Sequence, residues 1–203
     1  MQFEPFDIAS LRAMRGYQAR RLRKQSHLIP NNPGVYIWRY WPSFPDYSKD
    51  AILDTVRRYH QNAPTFIDSV KNTRVSVAVE RTFWGGTRDV PFGLSENKWQ
   101  ELESALNEGP EAREAIANAL ECAFASFAPL YIGKAARLRD RIHAHLHRTD
   151  STLLDQLDDA AISLDDVYVS FMRDKSQTSS SVTHVLEEIF QRTSNPPFTK
   201  RYG

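Results

Sequence analysis

Strand-forming runs in this chain are few, short and far apart, and helical periodicity fills the intervals between them. The turn Pro30-Asn31-Asn32-Pro33-Gly34 delivers the chain into a strand at Val35 to Tyr40. Val75, Val77 and Val79 alternate with Ser76, Ala78 and Glu80, a second strand signature. Leu130 to Gly133 and Val167 to Met172 supply the remaining two. So few strands among so many helices point to an α+β fold.

The helical segments follow from spacing and punctuation. Residues 8–25 read as an amphipathic basic helix, and Ile52, Leu53, Val56 and Tyr59 predict a helix over 50–61, stopped by Asn62 and Pro64. Residues 41–49, with Pro42 and Pro45, form a loop. Trp99, Leu102 and Leu106 mark another helix. Gly109-Pro110 ends it and opens the next, with a stripe of Ile116, Leu120, Phe124 and Phe127. Helices over 136–148 and 151–160 precede the last strand. A Ser/Thr-rich link, 176–183, leads into a final helix reaching about Arg192. No internal repeat or low-complexity tract is present.

At 203 residues and 41% hydrophobic, the chain can bury one good core, or a small core plus an elaborate insertion. Lys and Arg number 26 against 25 Asp and Glu, so net charge does not advertise a polyanionic partner. The charges are nonetheless segregated. Arg12, Arg15, Arg20, Arg21, Arg23 and Lys24 form one acid-free basic run, and Lys134, Arg137, Arg139, Arg141 and Arg148 form a second against Asp140. Acids gather at Asp150, Asp155, Asp158, Asp159, Asp165 and Asp166. Cys122 is the sole cysteine, which excludes an intramolecular disulfide and a cysteine-rich zinc site. With no signal-peptide run and no span of bilayer length, a cytoplasmic protein without a membrane partner is expected.

Side chains alternate across a strand, so Tyr36 faces opposite to Val35 and Ile37, and Tyr131 opposite to Leu130 and Ile132. If the aliphatics share one core, both phenols emerge together on the other face. Gly133 leaves open space beside Tyr131. On the next helix Leu138, Ile142 and Leu146 form the inward stripe, and Arg141 and His145, one turn apart, border it. A guanidinium held there suits paired hydrogen bonds to phosphate oxygens. The final helix is expected to bury Val182, Val185, Leu186, Ile189 and Phe190, with Glu187 and Glu188 on its two borders. Helical geometry does not choose between those carboxylates.

Pro33-Gly34-Val35-Tyr36, Leu130-Tyr131-Ile132-Gly133-Lys134, the following arginine and histidine, and a glutamate before Pro196 together resemble the GIY-YIG nuclease family. The resemblance covers residues 30–40 and 128–199. It implies a small central antiparallel β-sheet flanked by helices and a metal-dependent DNA endonuclease acting on double-stranded DNA. Residues 1–29 then form a basic arm. The domain occupies 30–203, interrupted by a mixed α/β insertion at 41–127 where the family has a short hairpin.

The catalytic arginine carries over to Arg141, and His145 matches a histidine that orients a tyrosine hydroxyl. Glutamate-to-proline spacing selects Glu187 as the metal ligand, nine positions before Pro196. Mg²⁺ is the implied cofactor, with Mn²⁺ as a substitute. In the implied one-metal hydrolysis a tyrosine phenolate, Tyr36 or in exchanged roles Tyr131, takes the proton of the attacking water. Because a free phenol titrates near ~10, Lys134 and His145 must lower that pKa. Arg141 stabilises the pentacovalent phosphate, and the metal on Glu187 stabilises the leaving oxygen. Thr199 stands where members carry asparagine, so either it substitutes as the hydrogen bonder there or that support is missing.

Other elements suggest accessory roles. The arm residues Arg12 to Lys24, with Arg137 and Arg148, would contact phosphates, and the loop Arg81 to Arg88, carrying Trp84, would let Arg88 enter a groove. The acid-rich pair over 95–127 suits a protein partner or a homodimer instead. His143, His145 and His147 suggest a competing zinc or nickel cluster, against which the arginine-rich helix favours phosphate contacts. Restriction, defence or mobile-element biology fits a compact enzyme of this kind. The competing readings are a repair-type nicking nuclease, a catalytically inactive DNA-binding module, and an interaction protein whose tyrosines merely pack.

Overall fold

The computed structural model describes residues 15–42, 44, 46–61, 65–71, 76–82, 94–125, 129–160, 162–174, 180–194, 196, 198 and 199. In chain order the elements are β1 (Tyr17–Gln18), α1 (Ala19–Lys24), β2 (Gly34–Tyr40), α2 (Lys49–Gln61), β3 (Thr65–Lys71), β4 (Ser76–Thr82), α3 (Glu96–Asn107), α4 (Pro110–Ala125), β5 (Tyr131–Ala135), α5 (Leu138–Leu146), α6 (Leu153–Asp159), β6 (Val167–Arg173) and α7 (Ser180–Ser194). The fold class is α+β. Two compact units divide the chain, one formed by Met1–Ser43 with Asn118–Gly203 and the other by Phe44–Ala117.

The first unit is built on a four-stranded antiparallel sheet of order β1-β6-β2-β5. Central β2 aligns Tyr36 with Gly133 on one side and with Phe171 on the other; Trp38 aligns with Tyr131 and Val169. Directly opposed residues share a face. Tyr36, Trp38, Tyr131 and Val169 therefore look one way, and Val35, Ile37, Ile132 and Lys134 the other. Both faces of β2 are covered: Val35, Tyr36 and Trp38 are all buried. The two tyrosines thus share one face, as expected, but that face is covered. Helix α5 lies over their face, packing Leu138, Ile142 and Leu146 as a fully buried stripe.

Loop 29–32 holds that helix in register. The amides of Leu138 and Arg139, in the first turn of α5, donate to Asn32 O at 3.0 Å and Pro30 O at 3.1 Å, and Arg139 Nε reaches Ile29 O at 2.9 Å. First-turn amides have no partner within their own helix, so these bonds tie α5 to the entry of β2.

Three expectations are corrected. The basic helix expected over 8–25 shrinks to Ala19–Lys24, and residues 8–14 lie outside the described residues. Gly16 adopts φ +85°, and a Cβ there would stand 2.5 Å from Val169 O. This left-handed turn lets Tyr17 and Gln18 pair with Val169 and Tyr168 as β1 before helix begins. Tyr17 and Gln18, within the expected arm, are thus part of the sheet. Second, β3 was not anticipated: Phe66, Ile67 and Val70 do not alternate, yet the segment pairs with β4 from Thr65↔Thr82 to Lys71↔Ser76. Third, Val185 and Ile189 of α7 are 55% and 50% exposed instead of buried. The helix instead turns Glu187 and Gln191 toward β5, where Gln191 Nε2 donates to Ile132 O and to Glu187 Oε1, each at 3.2 Å.

Phe44–Ala117 holds α2, α3 and the β3–β4 hairpin. Lys49 Nζ bonds Asn107 Oδ1 at 3.2 Å, and the Arg57 guanidinium stands over the Trp99 ring at 5.6 Å. The end of α4 joins the first unit, where Phe124 meets Tyr40 edge-on at 6.4 Å. Its boundary therefore falls short of the expected 127. Among the described residues no helix is long and apolar enough to cross a membrane.

Candidate functional site

The edge of the sheet at β5 opens into a cleft of about 1370 Å³ lined from β5, α5, α7 and the 150–156 segment. Tyr131 and Lys134, Arg141 and His145, and Glu187 all face it, brought together from three separate elements. Thr199 lines it too and caps the free edge of β5, accepting from Ile132 N at 3.1 Å. The hydrogen bonding expected of the residue at this position is present.

Tyr36 is not in the cleft. Its side chain is wholly buried, with its hydroxyl 2.8 Å from His145 Nε2. The opposed Gly133 is what makes room for it: a Cβ there would lie 2.5 Å from the Tyr36 hydroxyl and 2.8 Å from Tyr131 Cε1. The space expected beside Tyr131 is therefore taken by the second phenol. The two tyrosine rings stack at 5.9 Å, and the His145 ring stands 5.6 Å from Tyr36 and 5.1 Å from Tyr131.

Burial, followed by the charge and hydrogen bond of Tyr131, raises the Tyr36 pKa well above the ordinary phenol value, and the opposing pull of Arg141 does not restore it. His145 is pushed down to about 3 by burial and then by Arg141. A neutral imidazole lends Tyr36 no positive charge, so the expected lowering of its pKa by His145 is overturned. The role left to His145 is geometric. Its Nε2 meets the Tyr36 hydroxyl while Nδ1 bonds Ser151 Oγ, which fixes the ring between them.

Arg141 lies beside both hydroxyls. Partial burial works against its charge, but the phenols of Tyr36 and Tyr131 outweigh it and raise the guanidinium pKa. It donates a hydrogen bond to a backbone oxygen, Asp150 O, at 3.3 Å. Other cleft cations are committed to carboxylates: Lys134 to Glu187 at 3.3 Å, Arg192 to Glu188 at 2.6 Å, and Arg148 to Asp155 and Asp158. Among the described residues, Arg141 is the cleft cation that meets no carboxylate.

The two carboxylates of α7 differ in their surroundings. The Glu187 side chain is 16% exposed and turned to Lys134 and Gln191, whereas Glu188 is 51% exposed and paired with Arg192. Glu187 also fits a cation: a lysine ammonium already stands against its Oε2, and hard carboxylate oxygens suit Mg²⁺. His184 completes this corner, its Nδ1 2.7 Å from Lys134 Nζ. Sequence reading missed both His184 and Arg192, although each sits one helical turn from a glutamate of the pair.

The expected DNA-contacting residues are mostly engaged elsewhere. Arg15 stacks on Tyr168 at 3.8 Å and bonds Trp41 O, Arg20 pairs with Asp165 at 2.5 Å, and Arg137 pairs with Asp140 at 2.8 Å. Arg21 bonds Gln25 at 3.1 Å; Arg23 adds its charge to those acting on His147; Lys24 is exposed. Arg12, Arg88 and Trp84 lie outside the described residues. The His143 and His147 rings stack at 4.0 Å, and no group of three His, Cys, Asp or Glu side chains among the described residues is arranged to hold a metal.

Comparison with protein-family models, with curated proteins and with solved structures finds no match for this chain.

Proposed function

We propose that this chain is a metal-dependent DNA endonuclease of the GIY-YIG type, hydrolysing phosphodiesters in double-stranded DNA at the β5 cleft. The observation that carries the reading is Arg141, a guanidinium in a polar cleft, beside a phenol, with no carboxylate partner among the described residues. Such a group is arranged for an anion that arrives from outside, and its planar fork matches phosphate oxygens.

In this reading Tyr131, half-exposed in the cleft, is the side chain that meets the phosphate and, as its phenolate, takes the proton of the attacking water to become the phenol. Tyr36 takes the positioning role, because its buried hydroxyl is kept protonated and bonded to His145. Arg141 stabilises charge on the non-bridging oxygens as the phosphate becomes pentacovalent. Glu187 would hold Mg²⁺, which supplies Lewis-acid stabilisation of the leaving oxygen when bound. The Tyr36–His145–Ser151 chain keeps the cleft wall rigid against α5.

Nicking of supercoiled plasmid in Mg²⁺ tests the proposal. Glu187→Gln should abolish nicking and leave DNA binding intact, and Arg141→Ala should slow it by about 100- to 1,000-fold. Nicking that survives Glu187→Gln overturns the assignment. Binding without nicking by the wild type would favour the inactive DNA-binding module instead.

A further inference from the structure

We infer that the metal seat of this cleft has two protein ligands, His184 Nδ1 and Glu187 Oε2, and that Lys134 occupies it until a divalent cation displaces the ammonium. The inference rests on the reading of Glu187 as a metal ligand and goes beyond it. His184 and Glu187 lie one turn apart on α7, their Nδ1 and Oε2 atoms separated by 4.0 Å. Lys134 Nζ sits against both, 2.7 Å from the nitrogen and 3.3 Å from the oxygen. An ammonium has only donors, so the Nδ1 it touches must present a lone pair. Two lone pairs of different chemical type therefore converge on one positive centre. That is the donor arrangement a metal needs, with a monovalent cation standing in it.

The donor set sets the preference. Mg²⁺ takes oxygen ligands and keeps its waters, whereas an imidazole nitrogen favours first-row transition ions. Mn²⁺ accepts both donor types and, being paramagnetic, is the ion that probes this pair. With two protein ligands, the remaining positions fall to water and phosphate oxygens, as in other phosphate-processing sites. Displacement is feasible because Lys134 is a flexible, partly exposed side chain on an edge strand, while Glu187 is held from its other oxygen by Gln191.

Electron spin-echo measurements on Mn²⁺ bound to the full chain, without DNA, read the nitrogen directly. Wild type should show nitrogen modulation; His184→Ala should lose it and bind Mn²⁺ more weakly by on the order of tenfold. His143→Ala should retain the modulation. Lys134→Met should tighten Mn²⁺ binding, since it removes the competing cation, whereas a lysine that only orients Glu187 would give weaker binding when lost. Absence of nitrogen coupling in the wild type, its persistence in His184→Ala, or weaker binding by Lys134→Met overturns the inference. None of these readouts requires cleavage. Plasmid nicking without nitrogen coupling would leave the nuclease reading standing and remove this one, and coupling without nicking would do the reverse.

Discussion

His145 shows how far a single side chain's surroundings alter its chemistry. An exposed histidine titrates near ~6.5, but this one, buried between Tyr36, Trp38 and Tyr131, titrates at about 3. Below pH ~6.5 the unfolded chain takes up a proton here that the folded chain refuses. Stability therefore rises with pH across the window from about 3 to ~6.5 and gains nothing further above it. Between pH 7 and pH 5 the loss from this group should be about 2 kcal/mol. Denaturant titrations at both values should show His145→Gln less stable at neutral pH but with a flatter pH dependence. Gly133 is the second residue with a sharp consequence. Its missing side chain seats the Tyr36 phenol, so Gly133→Ala should cost about 1–3 kcal/mol by overpacking and break the Tyr36–His145 bond. The Tyr36 ring resonances would report that displacement.

Among the elements, β1 and α7 depart most from their apparent amphipathic patterns. Arg15, Arg20 and Arg21 made residues 8–25 look like a phosphate-gripping helix, but Arg15 and Arg20 are turned back onto β6 and the turn before it. Gly16 in the left-handed region is what lets that happen. Gly16→Ala combines a disfavoured φ with a 2.5 Å approach to Val169 O, so it should undock β1. Faster amide exchange at Tyr168 and Val169, with the rest of the sheet unchanged, is the expected result. Helix α7 shows the reverse trade. It leaves Val185 and Ile189 in solvent in order to bring Glu187 and Gln191 to the edge of β5.

At the scale of the molecule, charge pairing shapes how DNA would be held. Arg148, Arg137, Arg20, Lys134 and Arg192 all have carboxylate partners, so these five should add little to counterion release from a duplex. Each phosphate neutralised contributes about −0.9 to the slope of log K against log salt, so Arg141→Ala should make that slope shallower by about 1. Arg20→Ala should leave the slope unchanged, because Arg20 is already paired with Asp165. Fluorescence anisotropy over a salt series measures both.

The strands around Tyr36 and Tyr131 and the buried stripe of α5 were visible in one dimension, because they depend on periodicity and on turn residues near in sequence. The same local signals placed Arg141 and His145 on the border of a buried stripe. Folding had to settle what depends on distant neighbours. Which phenol reaches the cleft was decided by α5 closing over one face of β2. Which of Glu187 and Glu188 turns toward β5 was decided by Lys134 and Gln191, and Arg20 was paired by an acid remote in the chain, Asp165. Burial and charge pairing are sums over neighbours in space, and a linear pattern carries them only where those neighbours are also close along the chain.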